Sequence, residues 1–172
     1  MNAGRLWPEV GDATAASRRD PVDTFERSVA PHYAPLVRRL SLVLGDEAEA
    51  QDVAQEAYLQ AYRSWSQFDG NDVRAWLYTI GLRLAFNELR RRRRWLAALG
   101  RIESRPWRDP SDPDLAAALH SLEPRVRAAL LMNVVDGYTH AEIAAMLSVP
   151  PGTVASWISR ARVQLRAVLD RD

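Results

Sequence analysis

The 172-residue sequence contains no cysteine, and although 23 of its residues are basic, none is lysine. Without thiols, disulfides, thiolate metal sites and cysteine nucleophiles are excluded, which agrees with a reducing compartment. The all-arginine usage beside abundant alanine reflects a GC-rich genome more than a mechanism. No apolar run approaches the ~20 residues that a membrane span requires. Met1 to Asp23 carries Pro, Gly, Asp and Arg where a signal peptide would have an apolar core. The expectation is a soluble, cytoplasmic protein with no membrane insertion. Histidine is scarce: His32, His120 and His140 are far apart, no carboxylate joins any two at ligand spacing, and no metal site is expected. There is no G-x-S-x-G elbow, P-loop or H-E-x-x-H motif, so neither catalytic residues nor a cofactor is expected and the chain reads as a non-enzyme. Alternating strand patterns and internal repeats are also missing, which leaves an all-α fold.

What is present is segregated charge. The formal net charge is only +1, yet residues 46–70 carry six acids against one Arg and residues 71–108 carry ten Arg against three acids. Residues 109–124 then hold four acids and no Arg. Such a layout fits one surface for a polyanion and another for a basic protein partner.

The chain divides into a tail, two helical domains and a tether. Residues 1–22 lack periodicity and read as a flexible tail. Phe25, Val29, Leu36, Val37, Leu40 and Val43 mark a first helix that Pro31 and Pro35 should kink or split. Gly45-Asp46 reads as a stop and a new start. Ala50, Val53, Ala54, Ala57, Tyr58, Ala61 and Trp65 then form an apolar stripe, leaving Asp52, Gln55 and Glu56 at i, i+3 and i+4 on the opposite side. After the polar break Ser66 to Asn71, Val73, Trp76, Leu77, Ile80 and Leu84 give another amphipathic helix, ending in the run Arg90 to Arg94. The first domain is placed at 23–95. Residues 96–113, with Pro106, Pro110 and Pro113, read as a flexible linker. The second domain, 114–172, opens with short helices marked by Leu115, Leu119 and Leu122, and by Val126, Leu130, Leu131 and Val134, the latter closed by Gly137.

The most specific local pattern follows. Thr139 and Glu142 form a capping box, with Tyr138 and Ile143 as its hydrophobic staple. Pro150 and Pro151 end that helix and start the next, whose Val154, Ile158, Ala161, Leu165 and Val168 recur at helical spacing. This is a helix-turn-helix, and the second helix offers Thr153, Ser156, Trp157, Ser159, Arg160 and Arg162 to duplex DNA.

In order and spacing these motifs resemble the extracytoplasmic-function (group 4) sigma factors of the sigma-70 family, from about Thr24 to Leu169. Tyr33-Ala34-Pro35-Leu36, Leu44-Gly45-Asp46, Asp52-Val53-Ala54-Gln55-Glu56-Ala57-Tyr58 and Arg74-Ala75-Trp76-Leu77-Tyr78-Thr79-Ile80 are similar to the family's region two. Gly137-Tyr138-Thr139, Glu142-Ile143-Ala144, Gly152-Thr153-Val154 and Ser159-Arg160-Ala161-Arg162 are similar to its region four. The resemblance implies an alternative sigma subunit that binds core RNA polymerase and directs promoter recognition, minus-10 melting and initiation. It implies docking of Asp52, Gln55 and Glu56 on a coiled coil of the largest core subunit, with a further contact at the flap region. It also implies minus-10 single-strand contacts from Phe68, Gly70, Asn71, Arg74, Tyr78, Arg83, Asn87, Arg90 and Arg91, where arginines and aromatics suit unstacked bases. Trp76 is expected in the core. The six recognition-helix residues would read the minus-35 duplex. An anti-sigma factor is the implied regulator, with Trp95, Leu96, Leu99 and Trp107 offering apolar surface.

The chain also departs from the family. Arg83 stands where Asn is usual and Asn87 where Asp is frequent, which exchanges donor-acceptor readout for charge and alters the minus-10 preference. Ala155 and Trp157 stand where basic residues are common, removing contacts worth about 1–3 kcal/mol each unless Arg160 and Arg162 replace them. Trp157 is equally suited to packing or to contact. The rival reading is a C-terminal helix-turn-helix regulator of the response-regulator type, which would need an α/β receiver or a ligand pocket upstream.

Overall fold

The structure, a computed structural model, describes residues 21–99 and 113–169. Among the described residues it is all helix apart from turns. The tail and linker readings, together with Trp107, therefore lie almost wholly outside the described residues. Helix α1 (Pro21–Leu44) runs through Pro31 and Pro35, so that of the kink or split expected there the split does not occur. The two prolines are four apart, so both missing donors fall on one side of the helix, where Pro31 is exposed and Pro35 half-buried. Solvent can take up the carbonyls they leave, while Phe25, Val29, Leu36, Leu40 and Val43 are fully buried on the other side.

Gly45 ends α1 in the left-handed region (φ 77°), and the Asp46 side chain accepts the Glu49 amide to start α2 (Glu47–Arg63). Ala50, Val53, Ala54, Ala57 and Ala61 bury the predicted stripe against α1. A turn of 3-10 helix (Trp65–Gln67) leads to α3 (Val73–Ala98), which Asp72 caps through the Ala75 amide. Gly81 lets α3 approach α1 closely: a Cβ there would lie 2.9 Å from Leu36 Cδ1.

Four shorter helices follow, α4 (Pro113–His120), α5 (Pro124–Val134), α6 (His140–Leu147) and α7 (Pro151–Leu169). The capping box forms: the Glu142 carboxylate accepts the Thr139 amide and hydroxyl at 2.7 Å each, and Thr139 Oγ1 accepts the Glu142 amide at 3.3 Å. These bonds to Thr139 hold the Glu142 carboxyl below its ordinary range. The box is thus complete at neutral pH and is lost as pH falls through that lowered value. Thr139→Ala should lower global stability by about 1 kcal/mol. Thermal unfolding would read this, and an unchanged midpoint would mean that the box contributes nothing. Ser148, at φ 53°, closes α6 before the two prolines. Val134 departs from expectation: as the last residue of α5 it is 61% exposed, because the chain turns away from the core there.

The two halves do not merely share a tether. Helix α6 packs on α3, and α4 and α5 pack on α1, so that one continuous apolar cluster crosses both. Arg127 of α5 is buried and donates to the carbonyls of Leu42 and Val43 at the end of α1, and to those of His120 and Leu122. It thereby satisfies helix-end acceptors of both halves with one cation. Burial pulls its pKa down to about 10, which leaves it charged at neutral pH.

Candidate nucleic-acid interface

The acidic face of α2 is solvent-exposed as the spacing predicts, with Asp52, Gln55 and Glu56 all open to water. The sequence reading missed the apolar part of this surface. Leu59 and Tyr62 are 42% and 47% exposed and continue the Gln55 stripe at i+4 and i+7. With Ala30, Tyr33 and Tyr58, Gln55 and Leu59 line an open groove of about 450 Å³. Large apolar side chains repeated beside a charged helix face are the signal from which this groove was legible.

The α3 residues assigned to minus-10 contact fall into two groups. Arg83, Asn87, Arg90 and Arg91 are exposed along the outer side of α3. Arg83 Nη2 donates to Gln60 Oε1 at 3.0 Å, Asn87 Oδ1 accepts from Arg90, and Arg91 pairs with Glu88 at 2.9 Å. Arg92 reaches Glu49 of α2 at 3.2 Å. Arg74 and Tyr78, by contrast, sit under the second domain. Tyr78 is fully buried against Tyr138, and the Arg74 guanidinium lies 5.4 Å and 5.1 Å from the two ring centroids. Burial pushes both phenols up, so both stay neutral at physiological pH.

The loop before α3 is built around aromatic packing. Phe68 stacks on Trp65 with centroids 5.2 Å apart and meets Trp76 at 4.9 Å. Trp76 is accordingly part of the partly buried layer on the core, whereas Gly70 and Asn71 are exposed. The Asp69 carboxylate accepts the Asn71 amide and its Nδ2 at 3.1 Å and 2.8 Å, which fixes the loop tip.

On α7, Ser156, Ser159, Arg160 and Arg162 are exposed and Thr153 is half-buried. Val154, Ile158 and Ala161 bury the opposite face. Trp157 packs half-buried against the core, and Ala155 is half-buried as well. Arg160 Nε donates to the Ser156 carbonyl at 3.3 Å, and Arg162 Nη2 turns back to Asn133 of α5 at 3.2 Å. Ser156 and Arg160 therefore share one exposed side of α7 a turn apart, with Arg162 drawn toward α5.

A helix-turn-helix in one half and an arginine-rich helix beside an acidic, groove-bearing helix in the other define a two-part helical protein of the helix-turn-helix class. Sigma-70 region 2 matches residues 29–95, and Sigma-70, region 4 matches residues 114–165. The chain is similar to the ECF RNA polymerase sigma factor SigE of Mycolicibacterium smegmatis, at 35% identity over 93% of this chain and 66% of SigE. It is 36% identical to the RNA polymerase sigma-H factor of Pseudomonas aeruginosa, over 80% of this chain and 82% of that protein. Its fold is similar to that of the sigma factor RpoE from Bartonella quintana, solved in complex with the anti-sigma factor NepR. That likeness has a TM-score of 0.75 at 23% identity and covers 87% of this chain and 98% of RpoE. The chain belongs to the sigma-70 family, among its ECF sigma factors. It spans just under two thirds of the length of SigE.

Proposed function

We propose that the chain acts as an alternative sigma subunit that carries no chemistry of its own and works in the cytoplasm by directing core RNA polymerase to promoters. The observation that carries this reading is the pairing of three surfaces with different chemistry on one chain. These are the acidic α2 face with its apolar groove, the exposed arginine stripe of α3, and the α6–α7 helix-turn-helix.

In this reading Asp52, Gln55 and Glu56 meet the basic coiled coil of the largest core subunit, and Leu59 and Tyr62 add an apolar anchor beside them. Phe68, Gly70 and Asn71 form the loop for an unstacked minus-10 base, with Arg83, Asn87, Arg90 and Arg91 along the strand and Arg74 and Tyr78 joining once uncovered. Thr153, Ser156, Ser159 and Arg160 enter the minus-35 major groove, Arg162 touches its backbone, and Trp157 supports the helix from behind. The functional domains are 23–95 and 114–172, joined by 96–113. An anti-sigma factor is the regulator, as NepR is the partner of RpoE in the structure whose fold this chain shares.

The test is transcription from fragments of the host genome by core polymerase with and without the chain. Discrete new start sites that require the chain are the expected outcome. Transcripts indistinguishable from those of core polymerase alone would overturn the reading, and modulation only of starts made by another sigma subunit would replace it with a regulator.

A further inference from the structure

The contact between the two halves centres on one buried carboxylate. Asp136, in the turn between α5 and α6, has a side chain only 4% exposed. Arg39 of α1 grips it with both arms of its guanidinium, Nε to Oδ2 at 2.8 Å and Nη2 to Oδ1 at 2.9 Å. Arg74 of α3 donates to the same Oδ1 at 2.6 Å and to the Asp136 carbonyl at 3.4 Å. Both arginines belong to the first half, 97 and 62 positions away from their shared acceptor. They therefore stay together when the second half moves away. The acceptor leaves with it.

Two guanidiniums converging on one anion, one of them in a bidentate fork, match the geometry of a phosphate as well as that of a carboxylate. Tyr78 lies beside Arg74 and would provide a ring face next to that anion site once Tyr138 withdraws. A cation pair with an adjacent aromatic face is the arrangement that holds the backbone and base of a single strand. In the closed chain Arg74, which the proposed function places on the minus-10 strand, is occupied by Asp136. Arg39, buried and facing the same point, has no assigned role.

The geometry points to a phosphodiester site formed by Arg39 and Arg74, which Asp136 fills with its carboxylate in the closed chain, so that closure and strand binding there exclude each other. This inference rests on the reading of α3 as a single-strand face. It adds a site and a competitor that the reading does not contain.

The test uses the full chain, whose lack of cysteine allows a donor and an acceptor dye at Gln51→Cys and Ala167→Cys, both exposed. The ligand is a fluorescein-free 20-nucleotide single strand for energy transfer and a fluorescein-labelled copy, on unlabelled chain, for anisotropy. Asp136→Asn should lower energy transfer between the halves and raise strand affinity by about tenfold, within the usual range of coupling between two sites. The dependence of log affinity on log salt should steepen by about 0.7 for each phosphate gained. Adding Arg39→Gln should return affinity and slope toward the parent values while the halves remain apart. On the parent chain, saturating strand should itself lower energy transfer, because a ligand that binds only the open form shifts the population toward it. That measurement decides the matter should the Asn variant fold poorly.

Opening by Asp136→Asn without any gain in affinity or slope would overturn the site. So would unchanged energy transfer on the parent chain at saturating strand. The α3 reading fails separately: Arg90→Gln with Arg91→Gln would then bind the strand as tightly as the parent. A loss in that pair alongside no gain in Asp136→Asn would reject the Arg39–Arg74 site and leave the α3 reading standing.

Discussion

Alanine at Asp52, Gln55 and Glu56 together should reduce affinity for core RNA polymerase by about 100-fold or more while leaving the fold unchanged. Truncating charged partners that become desolvated in an interface costs roughly 2–5 kcal/mol, and each 1.4 kcal/mol is tenfold in affinity. All three side chains are exposed on the outer face of α2, so the isolated chain loses no core packing. Circular dichroism and the thermal midpoint should match those of the parent, and binding to core polymerase should be nearly lost with promoter-dependent initiation. Unchanged affinity would remove this face from the docking surface and leave the adjacent Leu59 groove and the exposed Tyr62 as the anchor. The residual binding therefore measures how much of the contact is apolar.

Gly45→Ala should destabilise the closed chain by about 2–5 kcal/mol, which combines a left-handed backbone penalty of about 1–2 kcal/mol with overpacking of about 1–3 kcal/mol. The backbone part follows from φ 77° at Gly45. The packing part comes from the other half of the molecule: a Cβ at Gly45 would lie 2.1 Å from His120 Nε2. His120 Nδ1 donates to the Ala116 carbonyl, 3.0 Å away, so the ring cannot swing freely aside. Burial and the nearby Arg127 hold its pKa below the usual histidine value, which keeps it neutral at physiological pH. Chemical unfolding should show the loss. His120→Ala in the same background should recover the packing part and leave the backbone part. If the single variant unfolds at the parent midpoint, neither the left-handed turn at Gly45 nor its contact with His120 holds in solution. Failure of the second substitution to recover any stability would assign the whole effect to the turn.

The parts of the fold that were legible in the sequence are those decided within a few positions along the chain. The Thr139–Glu142 box, the Gly45-Asp46 break, the turn at Pro150-Pro151 and the alternation of buried alanines on α2 all depend on contacts between residues one to four apart. The exposed acidic face of α2 and the exposed stripe of Arg83, Asn87 and Arg90 follow from the same helical period. Resemblance to a family then assigned roles to these surfaces.

Other features had no local signature. Pro31 and Pro35 read as breaks by themselves, and only packing of the apolar face of α1 against α2 and α3 keeps the helix continuous. Val134 fits an apolar stripe yet faces solvent, because burial depends on what lies opposite and not on spacing alone. Arg162 and Arg160 look equivalent in sequence. Arg162 is drawn to Asn133 by the way α7 crosses α5.

The sequence by itself determined amphipathic helices in two groups, a helix-turn-helix and an arginine-rich helix beside an acidic one, since periodicity, caps and turns are short-range. Only the tertiary structure decided that the groups close on each other. Arg39, Arg74 and Asp136 are ordinary charges in the sequence and become one cluster around a buried carboxylate because folding brings positions 62 and 97 residues apart within hydrogen-bond distance. In water each would be a solvated charge. Enclosed between α1, α3 and the α5–α6 turn, each depends on the others for the hydrogen bonds that water would have supplied.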